Sequence, residues 1–205
     1  MKRAIHSLVY AALLGLASAG LLTASRDLTA ERREANAAAG FSRHILDALG
    51  VPYDPSAPAQ DLVALFNRCV TTERRGNVTF YVYRDAAPAG QAGAVRATAV
   101  PFAGRGLWGP IKGLVALEPD GRTIRRILFY EQEETPGLGG EIATRRFTQQ
   151  FDGRRIVSAA GEPSIEVHAI SGATMTSRRV EAMLNEAARR IVEADRSNAE
   201  PSFAR

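Results

Sequence analysis

From Ala4 to Ala24 the chain carries no charged residue, apart from the charge His6 gains when protonated. A run of about 20 mostly apolar residues matches the thickness of a bilayer core. A helix is the single-segment structure that satisfies its own backbone there. Ser7, Ser18 and Thr23 dilute the apolarity without preventing a span. The basic flank Lys2-Arg3 keeps the N-terminus in the cytoplasm and sends the rest of the chain across. The competing reading is a cleavable signal peptide with Ala17-Ser18-Ala19 as its cleavage site. Retention as an anchor is favoured. The apolar run continues through Leu21-Leu22, and Asp27 to Leu49, rich in Ala, Glu and Arg, extends the same helix.

The remainder is long enough for one domain with its own core. Apolar residues of the first helix cluster at Phe41, Ile45, Leu46 and Leu49, and Gly50 and Pro52 stop it. Val51 to Pro58 holds three prolines and reads as a loop, and Asp61 to Cys69 as a short amphipathic helix. Strand signals follow at Val78–Tyr83 and Val95–Phe102, with a turn-rich loop from Asp85 to Gly93. Ile111–Leu117 and Ile124–Tyr130 flank Glu118-Pro119-Asp120-Gly121, and Asp-Gly between two apolar runs signals a hairpin. Glu141–Phe151 reads as helical or irregular, and Ile156-Val157 and Ile165–Val167 as short strands. Val180, Met183, Leu184, Ala187, Ala188, Ile191 and Val192 form one stripe of a final helix, with Ser177 as its expected N-cap.

The pattern is α+β: an N-terminal transmembrane helix, then one antiparallel-sheet domain packed with helices. The expected divisions are a cytoplasmic tip and anchor over 1–26, a helical connector and loop over 27–60, the folded domain over 61–196, and a flexible tail over 197–205.

Charge narrows the function. Lys+Arg total 26 against 22 Asp+Glu, and the excess is scattered in Arg pairs. A nucleic-acid surface needs a concentrated basic face, so that class is excluded. The single cysteine, Cys69, allows no intrachain disulfide and no cysteine-rich metal site. His6, His44 and His168 lie far apart and match no ligand spacing, so no metal is expected.

Three segments carry chemistry. In Ser171-Gly172-Ala173-Thr174-Met175-Thr176-Ser177 small residues uncover the backbone and hydroxyls crowd the start of a helix. Such a terminus favours phosphate. Helix capping alone would need only one of those hydroxyls. The other two segments are Gly104–Gly113 and Glu133–Glu141, both too rich in glycine for strand interiors. Together the three describe a site for a flat, phosphorylated, partly apolar ligand. Leu107, Trp108 and Leu138 would cover a ring, Thr174, Thr176 and Ser177 would take the phosphate, and Lys112 or Arg178 would add positive charge. No G-x-G-x-x-G follows a strand, so a dinucleotide such as NADH is expected to bind elsewhere.

Ser171–Ser177 resembles the S-G-A-T-x-T-S motif of bacterial FMN-binding domains that carry FMN on a threonine through a phosphoester. Glu134-Thr135-Pro136-Gly137-Leu138-Gly139 resembles the second hallmark of that family. Gly106-Leu107-Trp108, Gly113–Leu117 and Phe129-Tyr130-Glu131-Gln132 look like the NqrC flavoproteins of sodium-translocating NADH:quinone oxidoreductases, and less like the RnfG proteins of the related Rnf complexes. The resemblance implies covalent FMN on Thr174. It implies a site drawn from Ser171, Gly172, Ala173, Met175, Thr176, Ser177, Glu134, Thr135, Gly137, Leu138, Gly139, Trp108 and Lys112. It also implies a flavin transferase for maturation, other membrane subunits as partners, and one-electron relay within a sodium-translocating membrane complex that oxidises NADH and reduces a quinone such as ubiquinone. The expected location is the bacterial inner membrane, single-pass, with the main domain periplasmic. An Rnf-type component or a stand-alone extracytoplasmic flavin carrier is the alternative. One position departs from the family: His168 stands where an aspartate read by the transferase is common.

Overall fold

The computed structural model describes residues 2–85 and 93–199. It contains a first helix α1 (Lys2–Leu49), a second helix α2 (Ala59–Cys69), and five strands, β1 (Val70–Arg75), β2 (Val78–Arg84), β3 (Val95–Arg105), β4 (Pro110–Leu117) and β5 (Ile124–Glu131). A 3-10 turn (Gly139–Ala143), a one-turn helix α3 (Arg145–Thr148) and a second 3-10 turn (Gln149–Phe151) follow, and helix α4 (Thr174–Ala199) closes the fold. The strands form one antiparallel sheet in sequence order. The fold class is therefore the α+β arrangement expected.

The apolar residues of β2 to β5 give the sheet two apolar faces, and each is covered. Phe80, Val82, Val100, Phe102, Ile111, Val115, Ile127 and Phe129 lie on the face that receives Val180, Leu184, Ala187, Ala188 and Ile191 of α4. Ala97, Ala99, Leu114 and Ala116 lie on the other, under Ile45, Leu46, Ala48 and Leu49. The alanines on that second face let α1 approach closely.

Helix α1 runs unbroken across Arg26-Asp27 and ends as its sequence demands. Gly50 takes φ 73°, its N–H donates to Asp47 O, and Val51 N–H donates to Leu46 O at 3.0 Å. This is a glycine-terminated helix end, with Pro52 preventing continuation. Tyr10, Leu13, Leu14, Leu16, Leu21 and Leu22 are exposed along its first half. Among the described residues, no helix is long and apolar enough to cross a membrane.

One strand is added to the expected set, and two local expectations are corrected. Val70–Arg75 is a strand although its sequence, VTTERR, lacks an apolar alternation. It is the edge of the sheet, where charged side chains are tolerated and discourage further pairing. Ile156-Val157 and Ile165–Val167 are not strands; only isolated bridges, Thr123 to Arg155 and Val157 to Pro163, form there. Helix α4 covers that face, so side chains stand in for a neighbouring strand. Ile165 N–H donates to Asn185 Oδ1 and Val167 N–H to Glu181 Oε2. Ser177 does not cap α4, because the helix begins three residues earlier, at Thr174. The hairpin signal holds: Gly121 takes φ 66°, and Asp120 accepts the N–H groups of Arg122 and Thr123. Most of the Asp85–Gly93 loop and of the C-terminal tail lies outside the described residues.

Candidate functional site

Strands β3 and β4 are joined by a tight loop in which Gly106 N–H donates to Gly109 O at 2.8 Å. The loop projects Leu107 and Trp108 from the end of the sheet. Beyond β5 the chain turns again, with Leu138 N–H and Gly140 N–H both donating to Thr135 O. The segment ending in Ala173 then delivers the N-terminus of α4 to the same place. Leu107, Trp108, Glu134, Thr135, Leu138, Gly139 and residues 172–176 line one cleft of about 280 Å³. That is near the small end for ligand pockets, enough to hold part of a three-ring system and leave the rest at the surface.

Polar order in this cleft centres on Glu134, which is only 4% exposed. Its Oε1 accepts Trp108 N–H at 3.0 Å, and its Oε2 accepts the Thr176 hydroxyl at 2.6 Å. One carboxylate thus ties the β3–β4 loop to the first turn of α4. The glycines make room for it. A Cβ on Gly106 would lie 2.3 Å from Glu134 Oε1, and one on Gly139 would lie 2.8 Å from Oε2 and 2.9 Å from Thr176 Oγ1. From the other side, Arg179 Nη1 donates to Gly106 O at 2.9 Å. The loop carrying Leu107 and Trp108 is therefore held by an anion at its amides and a cation at its carbonyls.

Burial alone would raise the Glu134 pKa. Hydrogen bonds from Thr176 and from the N–H groups of Trp108, Leu107 and Gly109 outweigh it and hold the carboxyl below its ordinary 4.5. A carboxyl depressed on folding stabilises above its unfolded pKa, and that contribution is lost as pH falls through the folded value. Glu134→Gln is thus expected to show a shallower decline of Tm below pH 4.5 than the parent protein. An identical acid limb in both proteins would count against this carboxylate.

The hydroxyls of the helix start fall into distinct environments. Thr176 is buried and committed to Glu134. Ser177 is buried too; its Oγ donates to Ala173 O and accepts Ile170 N–H. Thr174 is exposed and lines the cleft, and among the described residues its hydroxyl has no partner in the protein. The N–H groups of Thr174, Met175 and Thr176 likewise find no backbone acceptor there, since the first helical bond is Ser177 N–H to Ala173 O. A free hydroxyl beside three free amides at a helix N-terminus suits a phosphate ester. Gly172 takes φ 78°, which turns the chain into α4, and the Leu138 side chain packs 3.1 Å from where its Cβ would be.

The cleft has apolar walls at its mouth. Leu107, Trp108, Leu138 and Met175 are 44–70% exposed. Outside α1 they are the large apolar side chains left exposed among the described residues, and all four line this cleft. A flat, partly apolar ligand fits such walls.

Most residues expected at the site meet here: Trp108, Glu134, Thr135, Leu138, Gly139, Gly172, Ala173, Thr174, Met175 and Thr176. Ser171 and Gly137 line a neighbouring hollow of about 500 Å³ together with His168, Arg146 and Gln150. Their chain neighbours Leu138 and Gly172 line the cleft rather than this hollow. Ser177 supports the turn from below. Lys112 is not brought to the site. It lies on the α1 face of β4, one residue out of step with Ile111, and its Nζ donates to Glu131 at 2.8 Å. Arg178 is exposed and does not line the cleft. The cation that touches this region is Arg179, which the residue pattern alone does not distinguish from its neighbour.

Comparison with known proteins agrees with the geometry. Residues 106–189 match the model of the FMN-binding domain family, the stretch that contains both motifs and most of α4. The chain is 35% identical over 142 residues to NqrC of the Na(+)-translocating NADH-quinone reductase of Yersinia pestis, covering 62% of this chain and 49% of that one. It is 35% identical over 136 residues to the equivalent protein of Neisseria meningitidis, covering 60% and 48%. The chain thus spans about half the length of these relatives. Among solved structures, NqrC of Shewanella oneidensis superposes with a TM-score of 0.58 at 21% identity, covering 78% of this chain and 97% of that one. NqrC from Parabacteroides distasonis superposes at 0.59 and 22%, covering 83% and 96%. The likeness to solved structures establishes the fold, and the domain match bears out the family resemblance read from the two motifs.

Proposed function

We propose that this chain, whose residues 106–189 match the FMN-binding domain family, carries FMN esterified to Thr174 and relays electrons within a sodium-translocating NADH:quinone reductase. The single observation that carries the attachment is the sorting of hydroxyls in the first turn of α4. Thr176 and Ser177 are buried and engaged, whereas Thr174 opens on the cleft with its oxygen unused.

Each part of the site then has a role. Thr174 Oγ holds the phosphate, whose remaining negative charge is stabilised by the free amides of the helix start. Leu107, Trp108 and Leu138 cover the ring system and exclude water from one face. Glu134 and Arg179 fix the loop that carries the cover. When bound, FMN supplies the electron-transfer chemistry, and the protein supplies attachment, orientation and electrostatics. A covalent bond keeps the cofactor in place on the far side of a membrane, where no soluble flavin pool replaces it.

The membrane side of the reading rests on α1. Its segment from Ala4 to Ala24 is helical and uncharged, and its described leucines are exposed with nothing covering them. We assign it as a single-pass anchor with the N-terminus cytoplasmic and the flavin domain periplasmic. The partners are then the other membrane subunits of the reductase, and a flavin transferase loads Thr174. The NqrC relatives favour this complex over an Rnf-type assembly. The test is to purify the chain from detergent-solubilised membranes under native conditions. Co-elution with further membrane subunits and NADH-dependent quinone reduction is expected. A flavin-loaded chain that elutes alone, from soluble fractions, would overturn the assignment.

A further inference from the structure

Glu134 combines features that a simple loop anchor does not need. It is almost fully buried, and its two oxygens are divided between two elements, one facing the Leu107–Gly109 amides and one the Thr176 hydroxyl. Two glycines, Gly106 and Gly139, leave no space for any side chain against those oxygens. Among the described residues no lysine, arginine or histidine pairs with it; the nearby Arg179 spends a guanidinium nitrogen on the carbonyls of Arg105 and Gly106 instead. The carboxylate is therefore solvated by dipoles alone, and its net charge remains at the floor of the cleft. A charge shielded from water acts strongly on its neighbours. A fixed negative charge opposes the arrival of an electron nearby.

We propose that Glu134 is a positioning residue for the flavin: it clamps the Leu107–Trp108 loop to α4 and holds an uncompensated negative charge under the ring that lowers the cofactor's midpoint potential. This rests on the reading of the cleft as the FMN site. No part of the charge effect needs Glu134 to exchange a proton.

Two substitutions separate clamp from charge. Glu134→Gln keeps the length and one acceptor oxygen but removes the charge. Glu134→Asp keeps the charge but is one methylene too short to span the loop and Thr176. Thr176→Val removes only the partner of Oε2 and serves as a second clamp variant. The clamp is read on unloaded full-length protein by amide hydrogen exchange of the 105–109 peptide and by the anisotropy of Trp108, the only tryptophan in the chain. The charge is read on FMN-loaded protein by potentiometric titration. In Glu134→Asp and Thr176→Val the 105–109 amides are expected to exchange about tenfold faster or more, the change that loss of one charge-assisted hydrogen bond brings. In Glu134→Gln the midpoint potential is expected to move to more positive values while exchange stays closer to the parent. An unchanged or more negative potential in Glu134→Gln would overturn the charge role. Unchanged exchange in both Glu134→Asp and Thr176→Val would overturn the clamp. Failure of the parent protein to take up FMN would sink the flavin reading and the charge role with it, while the clamp is still decided on unloaded protein.

Discussion

Thr174→Val is expected to abolish covalent flavin attachment completely while leaving the protein folded. Valine keeps the branched shape of threonine and differs from it little in helix propensity. The Thr174 hydroxyl makes no hydrogen bond within the protein among the described residues, so no partner is stranded by its loss. A surface change of this kind shifts stability by about 0.5 kcal/mol or less. The expected result is a native-like circular dichroism spectrum and Tm, with no fluorescent band after denaturing electrophoresis. Thr176→Val makes the contrast. It keeps the attachment oxygen but leaves a buried carboxylate one donor short, which costs about 1–3 kcal/mol. It should therefore retain some covalent flavin on a less stable protein. If Thr174→Val stays fluorescent and Thr176→Val does not, the two threonines have been assigned in the wrong order.

Gly139→Ala is the second large effect, and it acts on the fold and the site together. The added methyl would lie 2.8 Å from Glu134 Oε2, 2.9 Å from Glu134 Cβ and 2.9 Å from Thr176 Oγ1, in the midst of the hydrogen bond that joins the two motifs. Neither side chain can yield without breaking that bond, because both are buried. Overpacking costs about 1–3 kcal/mol, and the lost charge-assisted bond a similar amount. At about 2–4 °C per kcal/mol for a chain of this size, Tm should fall by about 5 °C or more. Flavin incorporation should fall with it, since the Leu107–Trp108 loop loses its clamp. Gly137→Ala is a useful comparison. Its Cβ would meet nothing within 4 Å, so only the strain of φ 75° remains, about 1 kcal/mol. Equal losses in the two variants would mean that the close contact at Gly139 does not matter.

Part of this site can be read from residues alone, and the reason is physical. Glycine density and a hydroxyl cluster are local properties, so Gly106–Gly109, Glu134–Gly139 and Ser171–Ser177 stand out without a structure. The 42-residue separation between Glu134 and Thr176 hides their hydrogen bond, which exists only because α4 begins at the corner where β5 ends. Lys112 shows a different failure. Its charge suggests a phosphate partner, but the strand alternation that buries Ile111 beneath α4 turns Lys112 to the α1 face. Ser177 is a reasonable cap by residue type, yet α4 starts at Thr174 and uses the Ser177 hydroxyl to hold Ile170 instead. In the sheet, the apolar strands β2 to β5 announce themselves. The polar edge strand β1 does not, because an edge is selected for charge rather than for alternation. The buried Ile156 and Ile165 look like strand residues because burial, not pairing, is what their apolarity records.

His168 lies outside the cleft. Its side chain is exposed on the neighbouring hollow, while Gln150 holds its backbone by accepting its N–H at 2.6 Å. The segment leading to Thr174 is thus fixed by backbone contacts that any residue but proline at 168 can make.

Peptide-level mass spectrometry of the full chain, co-expressed with a flavin transferase and isolated from membranes, tests the central claim most directly. The peptide containing Thr174 should carry the mass of one FMN less one water, with fragmentation placing it on Thr174 and not on Thr176 or Ser177. That peptide found wholly unmodified, in a preparation where other targets of the same transferase are loaded, would contradict the account.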